Sequence, residues 1–462
     1  MTLAVAAPPA LTPFERIEAL CDPGSVRAIR SQVGDGVVGA AGCVNGRSVF
    51  SYAQDSSFAG GSLGTAHAET ILRVMQLARR SRAPVVGFVE SAGARMQEGL
   101  AALGGFGRIF QENVALSGRA PQISIVTGVS AGGGSYSPAL TDFVMMVEGA
   151  SMFLTGPGVV REAIGEDVTA AALGGTRVHE RNGVCDLVAP TVEAAARRAR
   201  ELLGYLVEPM RDAVAPDEPP PAHGRTAPAN ATQAPPDPGH FVPTAPRKTY
   251  DVRDVIRAIA DAGAFLEMAP RFARNMTTGF CRIEGRAVAV IANQPRYIGG
   301  VIDSDGSEKA ARFVRTCSSF GIPLIVLVDT PGFMPGVTQE SAGVIRHGAS
   351  LLRAFAEANV PRLTVVLRKA YGGAYITMNS KDLGAHLTFA WPGAEMGVMA
   401  ARQAVGIINR RELSDAASHD ELAARYAAEH LGAATAARNG FVDEVIAPAD
   451  TRARLAWGLA TL

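Results

Sequence analysis

Unpaired cysteines, scarce lysine and the absence of net charge narrow the possibilities for this chain before any motif is considered. The five cysteines, Cys21, Cys43, Cys185, Cys281 and Cys317, stand singly with no CxxC pair to hold zinc, and they read as small buried reduced thiols. Lysine occurs only at Lys248, Lys309, Lys369 and Lys381, an arginine bias that reads as genome composition. Lys plus Arg and Asp plus Glu balance at 44 each, so no field argues for nucleic acid or a membrane surface as partner. No apolar run approaches the ~18 residues of a membrane span. Residues 1–13 lack the basic segment of a signal peptide, so the expectation is a cytoplasmic protein with a flexible tail there. HExxH, Walker A and metal-ligand clusters are absent, and no metal site is expected.

What the chain has instead is a repeat. Residues 46–93 and 285–332 align without a gap at a shift of 239: Gly46-Arg47 with Gly285-Arg286, Gly60-Gly61 with Gly299-Gly300, Pro84 with Pro323, Val89 with Val328, Gly93 with Gly332. The register then slips by one, and Gly132-Gly133 meets Gly372-Gly373. At 462 residues, 47% hydrophobic and 19% charged, the chain suits two soluble domains. A Pro- and Ala-rich stretch with few hydrophobes divides them and reads as a linker over 210–247, leaving domains at 14–209 and 248–462. In each half an apolar strand (85–90, 324–329) ends in an acid and a glycine turn. A helical pattern precedes it (66–80, 307–319) and a second strand follows (123–127, 363–367). Continuous apolar strands alternating with amphipathic helices predict layered α/β domains.

The later glycine pairs join a strand to a helix, where glycine lets backbone N–H groups approach a ligand and the helix N-terminus adds positive potential. The upstream turns, Glu90-Ser91-Ala92-Gly93-Ala94-Arg95 and Asp329-Thr330-Pro331-Gly332-Phe333, end neighbouring strands and can face them. Converging N–H groups bind the oxygen of an enolate; the plainer alternative is tight strand–helix packing, which four turns in two matched pairs disfavour. Gly34-x-Gly36-x-x-Gly39 matches a dinucleotide fingerprint without the strand and helix it requires. Gly128-x-Ser130-x-Gly132 matches a nucleophile elbow, with Asp142 and His179 downstream, but its counterpart carries Ala370 in place of Ser130. His347 reads as a structural histidine near the second turn.

Over nearly the whole chain these residues resemble the carboxyltransferase β subunit of biotin-dependent acyl-CoA carboxylases, of the propionyl-CoA carboxylase type. The resemblance runs from Phe14-Glu15-Arg16-Ile17 through Phe58-Ala59-Gly60-Gly61-Ser62-Leu63, Gly93-Ala94-Arg95-Met96-Gln97-Glu98-Gly99 and Tyr136-Ser137-Pro138. In the second half it takes in Asp329-Thr330-Pro331-Gly332-Phe333, Arg346-His347-Gly348 and Arg368-Lys369-Ala370-Tyr371-Gly372-Gly373-Ala374-Tyr375. It implies two tandem crotonase-like (ClpP/crotonase) β-β-α superhelix domains of α/β class, in a hexamer built from dimers. Acyl-CoA would lie on the N-terminal domain of one subunit and carboxybiotin on the C-terminal domain of its partner. Gly132 and Gly133 would hold the thioester oxygen, and Gly373 and Ala374 the ureido oxygen. Ala92, Gly93, Ala94, Arg95, Gly134 and Ile376 would contact the acyl-CoA, and Pro331, Gly332, Phe333, Gly372 and Tyr375 the biotin.

The implied chemistry, transfer of CO2 from carboxybiotin to the acyl α-carbon, needs two oxyanion holes and no side-chain acid or base. Neither the Met-Lys-Met biotin-attachment signature nor an ATP-grasp region is present, so a biotin carboxylase and a biotin carrier are expected as partner subunits. Ala92 stands where the family has a second glycine, and Gly134 where it has alanine. Ile376 stands where propionyl-type members carry Asp, which predicts relaxed selection among acetyl, propionyl and butyryl chains. The rivals are a malonyl-type CoA decarboxylase using the same holes in reverse, a serine hydrolase using Ser130, and a degenerate scaffold.

Overall fold

The computed structural model describes residues 11–206, 236–245, 248–409 and 416–462. The chain falls into two compact units divided at position 207/208, and each is built on an eight-stranded sheet of the same topology. In the first, the order is Arg27–Ile29, Val37–Val44, Arg47–Gln54, Val85–Ser91, Gln122–Ala131, Phe143–Val147 and Leu187–Ala189, with Ser151–Phe153 also pairing with Gln122–Ala131. In the second it is Leu266–Met268, Met276–Ile283, Arg286–Asn293, Leu324–Thr330, Arg362–Tyr371, Leu387–Ala390 and Glu444–Val445, with Glu395–Gly397 beside Arg362–Tyr371. The first three strands of each sheet pair antiparallel and the rest parallel.

The repeat extends to register. Phe50 pairs with Val85 and Ala289 with Leu324, both at the shift of 239. Central strands are buried on both faces, which is why Leu324–Thr330 reads as a continuous apolar run rather than an alternating one. Each Val, Ile or Leu so buried contributes roughly 1.5–3 kcal/mol relative to exposure. The covering helices are Thr65–Ser81 and Ser304–Ser319. Ala68, Ile71, Leu72, Met75 and Ala78 recur at helical spacing on the buried face of the first. The second is capped by Asp303, whose side chain accepts from Gly306 N. The first lacks a side-chain cap of its own, and Glu98 supplies the acceptor to Thr65 N at 2.6 Å.

Two strands are longer than the apolar pattern predicts. Gln122–Ala131 and Arg362–Tyr371 run past their hydrophobic cores through Thr127-Gly128 and Arg368-Lys369, and in both the pairing shifts register at that point. The polar bulge hides the strand end from a pattern reading. Two boundaries also differ. Thr12, inside the expected tail, caps the helix Pro13–Leu20 through a reciprocal bond set with Glu15; positions 1–10 lie outside the described residues. Most of the expected linker also lies outside them, but 236–245 is described. There Pro238–Phe241 forms a 3-10 turn, and Phe241 and Val242 pack on the second core because they are apolar residues in an otherwise polar stretch.

Candidate active site

In the first unit two turns approach one another at the carboxyl end of the parallel strands. The one after Val85–Ser91 is fixed almost completely by its own backbone. Ala92 N donates to Gly60 O (3.0 Å), Leu63 N to Gly93 O (2.8 Å), Arg95 N to Leu63 O (2.9 Å) and Gly93 N to Ser91 Oγ (3.2 Å). The other turn starts the helix Gly133–Leu140 from Gly132, whose φ of 57° and ψ of −128° suit glycine. A Cβ on Gly93 would stand 3.3 Å from Ala131 O, so the turns are in contact.

Gly132 departs from expectation. Its N–H continues the parallel ladder to Phe153 O at 3.1 Å and is already engaged, whereas the N–H groups of Gly133 and, across the gap, Ala94 take no acceptor among the described residues. Helix starts leave such donors free by geometry. Gly133 is also sterically constrained: a Cβ would meet the Phe106 ring at 2.8 Å. At Gly134 a Cβ would stand 3.1 Å from Ser130 Oγ.

The second unit repeats this set. Ile302 N donates to Gly332 O (3.0 Å), Met334 N to Ile302 O (2.8 Å) and Gly332 N to Thr330 Oγ1 (3.3 Å). Pro331 replaces Ala92 and carries no N–H. Phe333, at the repeat position of Ala94, and Gly373 and Ala374, at those of Gly133 and Gly134, present N–H groups without acceptors among the described residues. Gly372, at a φ of 58°, matches Gly132 at 57°. Gly373 is exposed, and a Cβ there comes no nearer than 3.8 Å to the Phe333 ring. The Tyr375 hydroxyl is buried without a partner. Ile376 is 46% exposed beside it.

Charge is concentrated behind these turns. Burial pushes the Asp329 carboxyl up, opposed by the Arg368 guanidinium 3.1 Å away. Burial and the same guanidinium lower Lys369. Tyr371 donates to Glu395, and its own ionisation is pushed far up, chiefly by burial. Arg95 was expected at the substrate, but its nitrogens are all engaged within the unit, on Asp35 Oδ1 (2.5 Å), Glu98 Oε1 (3.1 Å), Ser62 O (2.8 Å) and Ser62 Oγ (3.4 Å). It orders the far end of the turn.

The competing motifs acquire no chemistry. Ser130 Oγ is buried with no partner, Asp142 accepts from Gln122 N (2.8 Å), and the His179 ring bonds Met152 O (2.6 Å), so no Ser–His–Asp relay forms. The glycines at 34–39 lead into the antiparallel strand Val37–Val44, not a helix. His347 pairs with Glu308 Oε2 at 3.2 Å, while its neighbour Gly348 packs against Phe333. Four of the five thiols are buried, and burial pushes Cys185 and Cys281 up to about 12. Among the described residues no group of three or more His, Cys, Asp or Glu is placed to hold a metal, and no helix is long and apolar enough to cross a membrane.

Two glycine-turn sites on a duplicated fold have a counterpart among known proteins: the carboxyl transferase domain matches residues 9–462. The chain belongs to this family. The propionyl-CoA carboxylase carboxyltransferase subunit of Haloferax mediterranei is 48% identical, over 91% of this carboxyl transferase and 81% of its own length. The methylmalonyl-CoA carboxyltransferase 12S subunit of Propionibacterium freudenreichii subsp. shermanii is 43% identical over 97% and 88%. A crystal structure of transcarboxylase 12S, a hexamer with methylmalonyl-coenzyme A and methylmalonic acid bound, superposes with a TM-score of 0.90 at 42% identity, covering 98% of this chain and 89% of that one. The two crotonase-like domains expected from the sequence are thus present, and the chain is a carboxyltransferase of the acyl-CoA carboxylase β type.

Several residues behind the site take roles that no motif marks. Gln54 and Asn293, again 239 apart, accept from the backbone N–H of Glu90 (3.0 Å) and Asp329 (3.2 Å). The repeat shift itself was the signal that pairs them. Arg16 and Phe106 carried none, since their roles depend on which helix packs beneath which strand.

Proposed function

We propose that this carboxyltransferase moves a carboxyl group between carrier-borne biotin and the α-carbon of a short acyl-CoA of the acetyl to butyryl class. The observation that carries the reading is the recurrence in both units of a helix-start N–H and a turn N–H that take no acceptor among the described residues, on turns in contact: Gly133 with Ala94, and Gly373 with Phe333, at shifts of 240 and 239. The first pair would take the thioester oxygen as enolate character develops, in place of the Gly132 N–H. The second, with Ala374 alongside, would take the ureido oxygen. Preorganised N–H donors of this kind are worth about 10²–10³ in rate each.

The residues around the second turn fit a small planar ring: an exposed Gly373 with no Cβ in the way, and a buried Tyr375 hydroxyl lacking a partner. Carboxybiotin, when bound, supplies CO2 and an oxygen able to take the α-proton. The chain orients the two oxygens and keeps the reacting carbons together; no side-chain base is required. Pro331, Gly332 and Gly372 shape the biotin side, and Ala92, Gly93 and Gly134 the acyl-CoA side. We assign the assembly as a hexamer in the cytoplasm, served by separate biotin carboxylase and biotin carrier subunits, on the likeness to the hexameric transcarboxylase 12S core.

The test is decarboxylation of malonyl-, methylmalonyl- and ethylmalonyl-CoA by the purified protein, with and without free biotin. Biotin-dependent loss of CO2 is expected. Turnover that ignores biotin would replace this reading with a decarboxylase.

A further inference from the structure

Each unit carries a largely buried acid–guanidinium pair at the end of the strand that leads into its first turn, and the two are assembled from different parts. Glu90 and Asp329 occupy the same repeat position, next to last in the strands Val85–Ser91 and Leu324–Thr330. In the second unit the cation sits on the adjacent strand: Arg368 Nε lies 3.1 Å from Asp329 Oδ2, with side chains 11% and 1% exposed. In the first unit the position matching Arg368 is Gly128, where a Cβ would fall 2.4 Å from Glu90 Oε1. The longer carboxylate fills the room that a side chain there would need. The cation comes instead from the helix Pro13–Leu20, with Arg16 Nη1 3.0 Å from Glu90 Oε2 and 3.1 Å from Thr127 Oγ1.

The backbone of Glu90 and Asp329 is constrained as well, at the N–H by a hydrogen bond and at the carbonyl by close packing. Gln54 and Asn293 accept from their N–H groups. Their carbonyl oxygens lie against Gly61 and Gly300, where a Cβ would come within 2.1 and 2.5 Å. Four residues beyond each acid is a turn N–H, that of Ala94 or Phe333. Five beyond Gly128 or Arg368 is the helix-start N–H of Gly133 or Gly373. A buried ion pair is a poor source of net stability, because desolvation offsets the attraction. Two different constructions of one at the same point argue for geometry as what is preserved.

We infer that Glu90 with Arg16 and Asp329 with Arg368 are positioning pairs, each clamping two adjacent strand ends so that one N–H from each turn stays at oxygen-binding separation. The Glu90 pair serves the acyl-CoA side and the Asp329 pair the biotin side. This rests on the two-site reading above. Arg368 also donates to Pro243 O and Ala245 O (both 3.4 Å) and Lys248 O (2.8 Å), so Asp329→Asn is the cleaner probe of its pair.

The experiment uses the full-length protein and biotin-dependent decarboxylation of malonyl-type CoA, with KM for free biotin and for the CoA ester resolved separately and melting temperature recorded. Asp329→Asn is expected to lower kcat and raise the biotin KM, together tenfold or more, with the CoA-ester KM within twofold and partial recovery in Asp329→Glu. Glu90→Gln is expected to show the opposite split. Equal changes in both KM values in proportion to lost melting temperature would reduce the pairs to structural braces and overturn the inference. If the single variants fail to fold, the transplant Glu90→Asp with Gly128→Arg decides: Arg16→Met should impair the CoA side in the wild type and have a smaller effect in that background, where its bonds to Leu11 O and Gln54 O are still lost, and an undiminished effect there refutes the exchange of parts. Absence of biotin-dependent turnover in the wild type would remove the two-site reading itself, an outcome distinct from intact turnover with unsplit variants.

Discussion

Gly61 and Glu90 meet backbone to backbone: a Cβ built on Gly61, at φ 69°, would lie 2.1 Å from Glu90 O, and Gly300 repeats the contact with Asp329 O at 2.5 Å. The doubled glycines are therefore conditions for packing one turn under the next. Gly61→Ala and Gly300→Ala combine about 1–2 kcal/mol of left-handed strain with about 1–3 kcal/mol of overpacking. The expected loss is about 2–5 kcal/mol in the unit concerned, with loss of activity. Gly46→Ala and Gly285→Ala, at φ 76° and 80° with open space around them, carry the strain alone. Denaturant unfolding of the four variants checks this, and equal losses across them would rule out the contact.

Gly133 and Gly373 separate folding from catalysis. Gly133→Ala forces the Phe106 ring to move from 2.8 Å and shifts the helix start with it. A fall of about 10²-fold in kcat is expected, as for loss of one oxyanion donor, together with measurable destabilisation. Gly373→Ala has 3.8 Å of clearance to Phe333, so its stability should stay within about 0.5 kcal/mol, the range of a change that disturbs no contact, while biotin-dependent turnover drops. Steady-state kinetics beside a thermal melt resolves the two; a strongly destabilised Gly373→Ala would contradict the clearance.

Ile376 stands exposed on the short helix Gly372–Thr377, one residue past Tyr375. An apolar side chain there favours added methylenes, each worth about 0.8 kcal/mol on burial, or roughly fourfold in kcat/KM. Ile376→Asp should therefore lower the butyryl-to-acetyl ratio by about tenfold, measured on ethylmalonyl- against malonyl-CoA. An unchanged ratio would detach Ile376 from chain-length selection.

The fold was legible because the duplication preserved residues whose removal breaks a turn: Gly61 and Gly300, Gly93 and Gly332, Pro84 and Pro323. Buried parallel strands also announce themselves as unbroken apolar runs. The N–H assignment at Gly132 was not legible, because an N–H that binds substrate and one that continues a ladder to Phe153 O have the same sequence. The role of Arg16 was not legible either, since nothing in sequence spacing brings it to Glu90, 74 positions away. The ordered ends at Thr12 and at Phe241 and Val242 were overlooked for a plainer reason: one capping residue or two apolar residues do not change the composition of a window, yet suffice to dock it.

His67 gives the first unit an acid limit. Its ring is fully buried, and desolvation first of all lowers its pKa to about 4. Gln54 Oε1 accepts from Glu90 N, which turns Gln54 Nε2 toward His67 Nε2 at 3.1 Å as donor to a neutral imidazole. The folded state thus binds fewer protons than the unfolded chain between these values. Stability from this group is complete above about pH 6.5 and falls by on the order of 3 kcal/mol as pH drops toward 4. Protonated His67 no longer accepts from Gln54, and turning that amide would release the N–H of Glu90, so activity on the CoA ester should hold through the upper part of this window and decline only as pH approaches 4, where the native imidazole takes its proton. Unfolding free energies of wild type and His67→Gln between pH 7 and 4 measure it: the wild type should lose the additional stability on acidification and the variant should not. Parallel curves would mean that His67 is not held neutral by the fold.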